Sequence, residues 1–204
     1  IGNYGAALSG EPGAAGVDLR ALLKEAGQAA AKAVYTQAQR LHTDMGTTLV
    51  AAVVDAKAAK AYVINVGDSR LYKLHGQSIR QVTKDHSMVQ LLVDKQQLTP
   101  EEAHRHPNAN LIYRTLGDKP SVEIDLYEEP LAAGDALLLC SDGLSGLVEN
   151  AEMAAAVSEE RTPDAACRRL VALAKQRGGH DNITVIIVQL AAMNLPNAAG
   201  AGYP

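Results

Sequence analysis

Tryptophan and phenylalanine are both missing from this chain of 204 residues, whose aromatic content rests on seven tyrosines. A core built without those large rings must be filled by small and branched side chains, and the 47% apolar content supplies enough of them for one sizeable core. Cysteine is nearly absent as well. Cys140 falls in a strand-like run and Cys167 in a helix-like one, so a disulfide framework is excluded and both read as small hydrophobes. No apolar run approaches the roughly 20 residues of a membrane span, and the longest, Ile183 to Met193, is interrupted by Gln189. A basic, signal-like start is lacking too. Basic residues are scattered and in deficit, with a formal net charge of −4, which argues against a nucleic-acid partner. The expectation is a cytoplasmic protein without membrane or nucleic-acid partners.

What is present is a repeated design of strand ends. The run Ala136-Leu137-Leu138-Leu139-Cys140 reads as a strand covered on both faces, and it stops at Ser141-Asp142-Gly143-Leu144. A carboxylate left at the rim of a core is costly unless a cation, a donor or water compensates it. The β-rich run Ala61 to Val66 likewise ends in Gly67-Asp68-Ser69-Arg70, and Gly179-His180-Asp181-Asn182 leads into the strand Ile183 to Leu190. Carboxylates at strand ends suit hard divalent cations such as Mg²⁺ and Mn²⁺, whereas thiolates and imidazoles suit softer metals.

Between these blocks, Asp18 caps a long amphipathic helix with Leu19, Leu22, Leu23, Ala26, Ala30, Val34, Ala38 and Leu41 on one face. Strands are expected over Thr47–Val54, Lys60–Val66, Leu71–Leu74 and Ile79–Thr83, in an antiparallel meander. Short helices follow at Ser87–Lys95 and Pro100–His104, then an alternating strand Val122–Tyr127. A loop is expected after Asp142, then helices near Ala151–Val157 and over Pro163–Gln176, the second opened by Thr162 and Pro163 and closed by Gly178. Residues 1–17 read as a loop or truncated entry and residues 191–204 as a flexible linker. Strands in two groups with helices at both ends point to an α+β fold rather than βαβ repeats.

Gly67-Asp68-Ser69-Arg70, Ser141-Asp142-Gly143-Leu144 and Gly179-His180-Asp181-Asn182-Ile183-Thr184, in that order, resemble the metal-dependent serine/threonine protein phosphatases of type 2C. Met45-Gly46-Thr47-Thr48, Thr83-Lys84-Asp85-His86-Ser87 and Thr99-Pro100-Glu101-Glu102-Ala103 are similar to further blocks of the bacterial branch. The resemblance implies two packed antiparallel β-sheets with helices on both outer faces, over residues 18–190, with a mobile flap at about 85–118 beside the site. It implies hydrolysis of phosphoserine and phosphothreonine in proteins by water activated between two Mn²⁺ or Mg²⁺ ions, with a third, weaker metal site. Asp142 and Asp181 would ligate the first metal, Asp68 and Asp142 the additional one, and Ser141, Gly143 and Asn182 would orient those ligands. Phosphoprotein substrates, a bacterial-type serine/threonine kinase as a functional partner, and a monomeric state are the corresponding expectations.

His86 and His180 are left as structural residues, Gly178-Gly179 as turn glycines and His104-Arg105-His106 as part of the flap surface. The sequence also departs from the family. Its opening blocks, an Arg-bearing segment and an Asp-Gly-Met-Gly-Gly-His motif that supplies the bridging aspartate, have no counterpart here, and Asp44-Met45-Gly46 belongs to a later block. The chain is therefore expected to lack an N-terminal segment of roughly 40 to 60 residues by family analogy, and to be weakly active or inactive as it stands. The other reading is a degenerate phosphatase fold serving as a regulatory or binding module.

Overall fold

The computed structural model describes residues 18–191; the entry loop at 1–17 and nearly all of the linker at 191–204 lie outside them. Helix α1 (Leu19–Leu41) starts where Asp18 accepts hydrogen bonds from the Arg20 and Ala21 amides. Its buried stripe is Leu23, Gly27, Ala31 and Ala38, slightly rotated from the expected face, so Ala26 and Leu41 are exposed. The reason is close approach: a Cβ on Gly27 would stand 2.6 Å from Ile124 Cδ1, so the helix lies on the sheet through its smallest residues.

Strands β1 (Leu49–Asp55), β2 (Lys60–Val66) and β5 (Asp125–Pro130) form one antiparallel sheet in the order β1-β2-β5. Strands β3 (Arg70–His75), β4 (Ser78–Gln81), β6 (Asp135–Cys140) and β7 (Val185–Gln189) form the other, in the order β4-β3-β6-β7. The expected continuous meander is thus broken. β2 and β3 belong to different sheets, and the chain crosses between them in the three residues Gly67-Asp68-Ser69.

β6 is buried along its whole length, as the unbroken apolar run requires. Leu137 and Leu139, together with Leu71 of β3, face Ala61 and Val63 of the other sheet. Leu138 and Cys140 face the opposite way, against Met153, Leu170 and Ala174 from helices α5 (Asn150–Glu159) and α6 (Pro163–Gln176). Each fully buried leucine here contributes about 2 kcal/mol. α1 covers the far side of the first sheet over Ile64, Val66 and Leu116. The result is helix, sheet, sheet, helix. Cys140 and Cys167 are free, and burial pushes the Cys140 thiol up to about 12.

Two short helices, α2 (Met88–Asp94) and α3 (Pro100–His104), occupy the segment 85–118, which is tied down by the bridges Ser87 to Ile112 and Thr47 to Leu116. A capping box at Thr99 and Glu102 opens α3. Where a loop was expected after Asp142, the chain forms a one-turn helix, α4 (Asp142–Ser145). Strand β5 lies three residues later than the alternation suggested, because Ile124 turns under α1 and pairing begins at Asp125. No helix among the described residues is long and apolar enough to cross a membrane.

Candidate active site

Register brings the acidic strand ends together. Arg70 of β3 pairs with Cys140 of β6, and Cys140 pairs with Val185 of β7. Asp68 lies two residues before the first position, Asp142 two after the second, and Asp181 four before the third. All three therefore emerge at one end of the four-stranded sheet, although their sequence separations are large.

Asp68 and Asp142 line one cleft of about 630 Å³, together with Arg70, Asp85, Ser145 and Glu149. Burial, reinforced by the Asp142 and Asp85 carboxylates, pushes the Asp68 carboxyl up to about 6 against the opposing pull of its own backbone hydrogen bond and Arg70. Arg70 does little to relieve this, because its guanidinium is already engaged. Nε and Nη2 donate to the Asp85 carboxylate at 2.7 to 3.1 Å and Nη1 donates to the Tyr72 hydroxyl at 3.0 Å. Burial opposes the Arg70 charge, yet Tyr72 and Asp85 hold its pKa above the ordinary range. Gln81 Nε2 adds a further hydrogen bond to Asp85 at 2.8 Å.

Asp181 stands apart from this cleft and is exposed. It is adjacent to Asp142 through Gly143: a Cβ on Gly143 would lie 3.5 Å from Asp181 Cβ and would collide with the Asn182 carbonyl oxygen. That close approach is the reason for glycine at 143. Ser141 Oγ donates to the Asn182 carbonyl at 2.9 Å and accepts the Thr184 amide at 3.0 Å, pinning the loop to the end of β6. Gly178 and Gly179 turn the chain with φ of +119° and +53°.

Among the described residues, no group of three or more His, Cys, Asp or Glu side chains gathers at metal-binding spacing. The donor chemistry of the cleft fits a hard cation all the same, since its anionic side chains are carboxylates and Asp68 is held near two others while its neighbour Arg70 is engaged by Asp85. These residues fit such an ion as part of its shell. The residues that strand-end reasoning overlooked are Arg70, Asp85, Ser145 and Glu149. Arg70 and Asp85 stood inside the quoted blocks, but their pairing across 15 positions has no local signature.

An antiparallel sandwich that gathers carboxylates at one end of its strands defines a class of acidic, cation-seeking sites. The family model described as Stage II sporulation protein E (SpoIIE) matches residues 13–191. Serine/threonine phosphatase stp of Listeria innocua is 39% identical over 156 residues, which are 76% of this chain and 61% of that protein. The chain thus spans only 61% of that relative's length. The crystal structure of the Mycobacterium tuberculosis serine/threonine phosphatase PstP/Ppp superposes with a TM-score of 0.78 at 39% identity, covering 86% of this chain and 74% of that one. The catalytic domain of PstP in complex with two manganese ions gives a TM-score of 0.76 at 38% identity, over 89% and 75% of the two chains. The chain belongs to this family, the SpoIIE and type 2C phosphatase fold.

Proposed function

We propose that residues 18–190 form a metal-dependent serine/threonine protein phosphatase domain of the bacterial type, with phosphoserine and phosphothreonine proteins as substrates. The observation that carries this reading is the placement of Asp68 and Asp142 in one cleft, where burial and mutual repulsion leave Asp68 in want of a cation. Its support from outside is the likeness to a PstP domain in complex with two manganese ions. Asp142 and Asp181 are the ligands of a first Mn²⁺ or Mg²⁺, and Asp68 joins Asp142 at a further, weaker site. A bound divalent cation supplies Lewis acidity and an acidified water at neutral pH. The chain's own contribution is geometry. Ser141 fixes the distance between the end of β6 and the Asp181 loop, Gly143 lets the two aspartates approach, and Asn182 anchors that loop by its carbonyl. The segment 85–118 acts as a flap whose inner residues Ser87, Gln90 and Asn110 face the cleft. A monomeric, cytoplasmic enzyme opposing a serine/threonine kinase completes the reading.

Phosphate release from phosphothreonine peptides by the intact protein tests it. Turnover should require Mn²⁺ or Mg²⁺ and vanish in EDTA; turnover that persists after exhaustive chelation sinks it. Residues 1–204 should bind Mn²⁺ weakly, in about the millimolar range of sites with few charged ligands. A second reading, a regulatory or binding module on the same fold, is favoured by the lack of a three-ligand group among the described residues. Metal-dependent turnover by the intact protein eliminates it.

A further inference from the structure

The Gly67-Asp68-Ser69 crossover has a backbone that needs holding. Gly67 adopts φ +106°, a region that L side chains rarely adopt, and a Cβ there would collide with Thr48 Cγ2. Glycine reaches this conformation without strain but also reaches many others, so sequence alone leaves the aim of Asp68 open. His86 closes that freedom from both sides of one residue. The Gly67 amide donates to His86 Nδ1 at 3.0 Å, and the His86 amide donates to the Gly67 carbonyl at 2.9 Å. Asn65 adds Nδ2 to the same carbonyl at 3.3 Å and to the Lys84 carbonyl at 3.0 Å, while its own Oδ1 has no hydrogen-bond partner among the described residues. A buried polar side chain left half satisfied costs about 1–3 kcal/mol, which is unusual for a residue that does nothing but fill space.

His86 also reaches the other way. Because Nδ1 accepts, the ring proton sits on Nε2, 3.3 Å from Asp125 Oδ2. Arg114 Nη1 donates to Asp125 Oδ1 at 2.7 Å, so imidazole and guanidinium share one carboxylate; with the proton on Nε2, the 3.0 Å approach of Nη1 to Nε2 sets two donors side by side and is not a hydrogen bond. The Tyr113 amide donates to the His86 carbonyl at 2.9 Å, and the Met88 amide to the Leu111 carbonyl at 2.8 Å. Burial lowers the imidazole pKa and favours the neutral ring that this tautomer requires.

We propose that His86 is a positioning residue that holds the Gly67–Asp68 turn so that the Asp68 carboxylate points into the cleft, and that links this turn to the chain at 111–114. The role presupposes Asp68 as a metal ligand, but the hold on the turn is independent of it. A merely structural histidine would be tested by stability alone; this one is tested by which ring atom matters. His86→Asn places an amide oxygen near the position of Nδ1, His86→Gln reaches towards Nε2, and His86→Ala keeps neither.

Hydrogen exchange in the chain of residues 1–204 reads the turn directly, without metal or substrate. His86→Ala and His86→Gln should speed exchange at residues 67–69 about tenfold, the loss of one buried hydrogen bond, with α6 unchanged, and His86→Asn should restore most of the protection. Mn²⁺ binding followed by electron paramagnetic resonance should weaken in the same order. Unchanged exchange at 67–69 in His86→Ala, or His86→Asn as fast as His86→Gln, overturns the proposal. Should His86→Ala fail to fold, the Asn and Gln variants decide it between them. Phosphatase assays are not involved in that decision, so failure of the enzymatic reading and failure of the positioning role are told apart.

Discussion

The Gly67–Asp68 crossover and the Gly178–Asn182 loop both deliver an aspartate to the same end of the sandwich, yet they are held in opposite ways. The first is interior: Gly67 is buried, His86 and Asn65 bind its backbone, and the neighbouring Ser69 shares a 2.8 Å hydrogen bond with Thr48. The second is on the surface, fastened by Ser141 and leading into a strand whose Ile186 and Val188 are 53% and 38% exposed. The register partners of those two, Leu139 and Leu137, are buried between the sheets. The Asp68 turn is therefore held by buried side chains that bind its backbone, whereas the Asp181 loop is held at an open sheet edge by Ser141 and by the Gly178 and Gly179 amides on the end of α6. The comparison teaches that preorganisation follows burial of the backbone that carries the carboxylate, and that the aspartate motifs themselves give no hint of it.

On the proposed reading Asp142 is the ligand shared by both metal sites, so removing its charge should do the most damage. Asp142→Asn is expected to lower phosphate release by the intact protein by about 100-fold or more, at or above the range for losing a supporting partner, measured at saturating Mn²⁺. A loss no greater than that of Asp68→Asn would break the picture of a shared ligand. Next in size, Arg70→Met strips a buried carboxylate of its partner on the interior arm. We expect about 2 kcal/mol of destabilisation, the worth of hydrogen bonds to a charged group, in urea unfolding of the metal-free chain.

Asp68 gives a smaller effect of opposite sign. Burial and its acidic neighbours raise its folded carboxyl to about 6, well above the ordinary aspartate range, so the folded state holds the proton more tightly and stability falls as pH rises from about 4 to about 6. After allowance for solvent screening the loss is about 1 kcal/mol. Asp68→Asn should recover it at pH 7 in EDTA and show no gain at pH 4; a gain at both would mean the strain is not electrostatic. The smallest effect belongs to the open arm. Ile186→Thr, on the exposed edge, should change stability by less than about 0.5 kcal/mol, whereas Leu138→Ala in the adjoining strand should cost about 3 kcal/mol. Equal costs for the pair would show that the edge is covered in solution.

Much of the fold was legible because its signals are local. Asp18 and Thr162 cap helices as read and Pro163 opens its helix, while Ser87, read as the first residue of its helix, is the cap of α2, and Thr99 caps the helix that Pro100 opens. β6 announced its double-sided burial by five apolar residues in a row. The rotation of α1 was not legible, because it depends on Gly27 meeting Ile124, nearly a hundred positions away. Nor was the break between β2 and β3, since Gly67-Asp68-Ser69 reads equally well as a hairpin turn. The family blocks singled out Asp68, Asp142 and Asp181, whereas Arg70 and Asp85 became site residues only once β3 and the start of segment 85–118 were packed together.

By itself the sequence determined the elements and their ends, because caps, turns and hydrophobic periods act over a few residues. It also determined that each of three strand ends would carry a carboxylate. Only the tertiary structure decided that these ends converge, because convergence is a matter of register: Arg70 opposite Cys140 and Cys140 opposite Val185. It alone decided that the Asp68 carboxylate is strained, since the desolvation and repulsion that lift it come from burial and from neighbours at 85 and 142 that no local pattern places beside it.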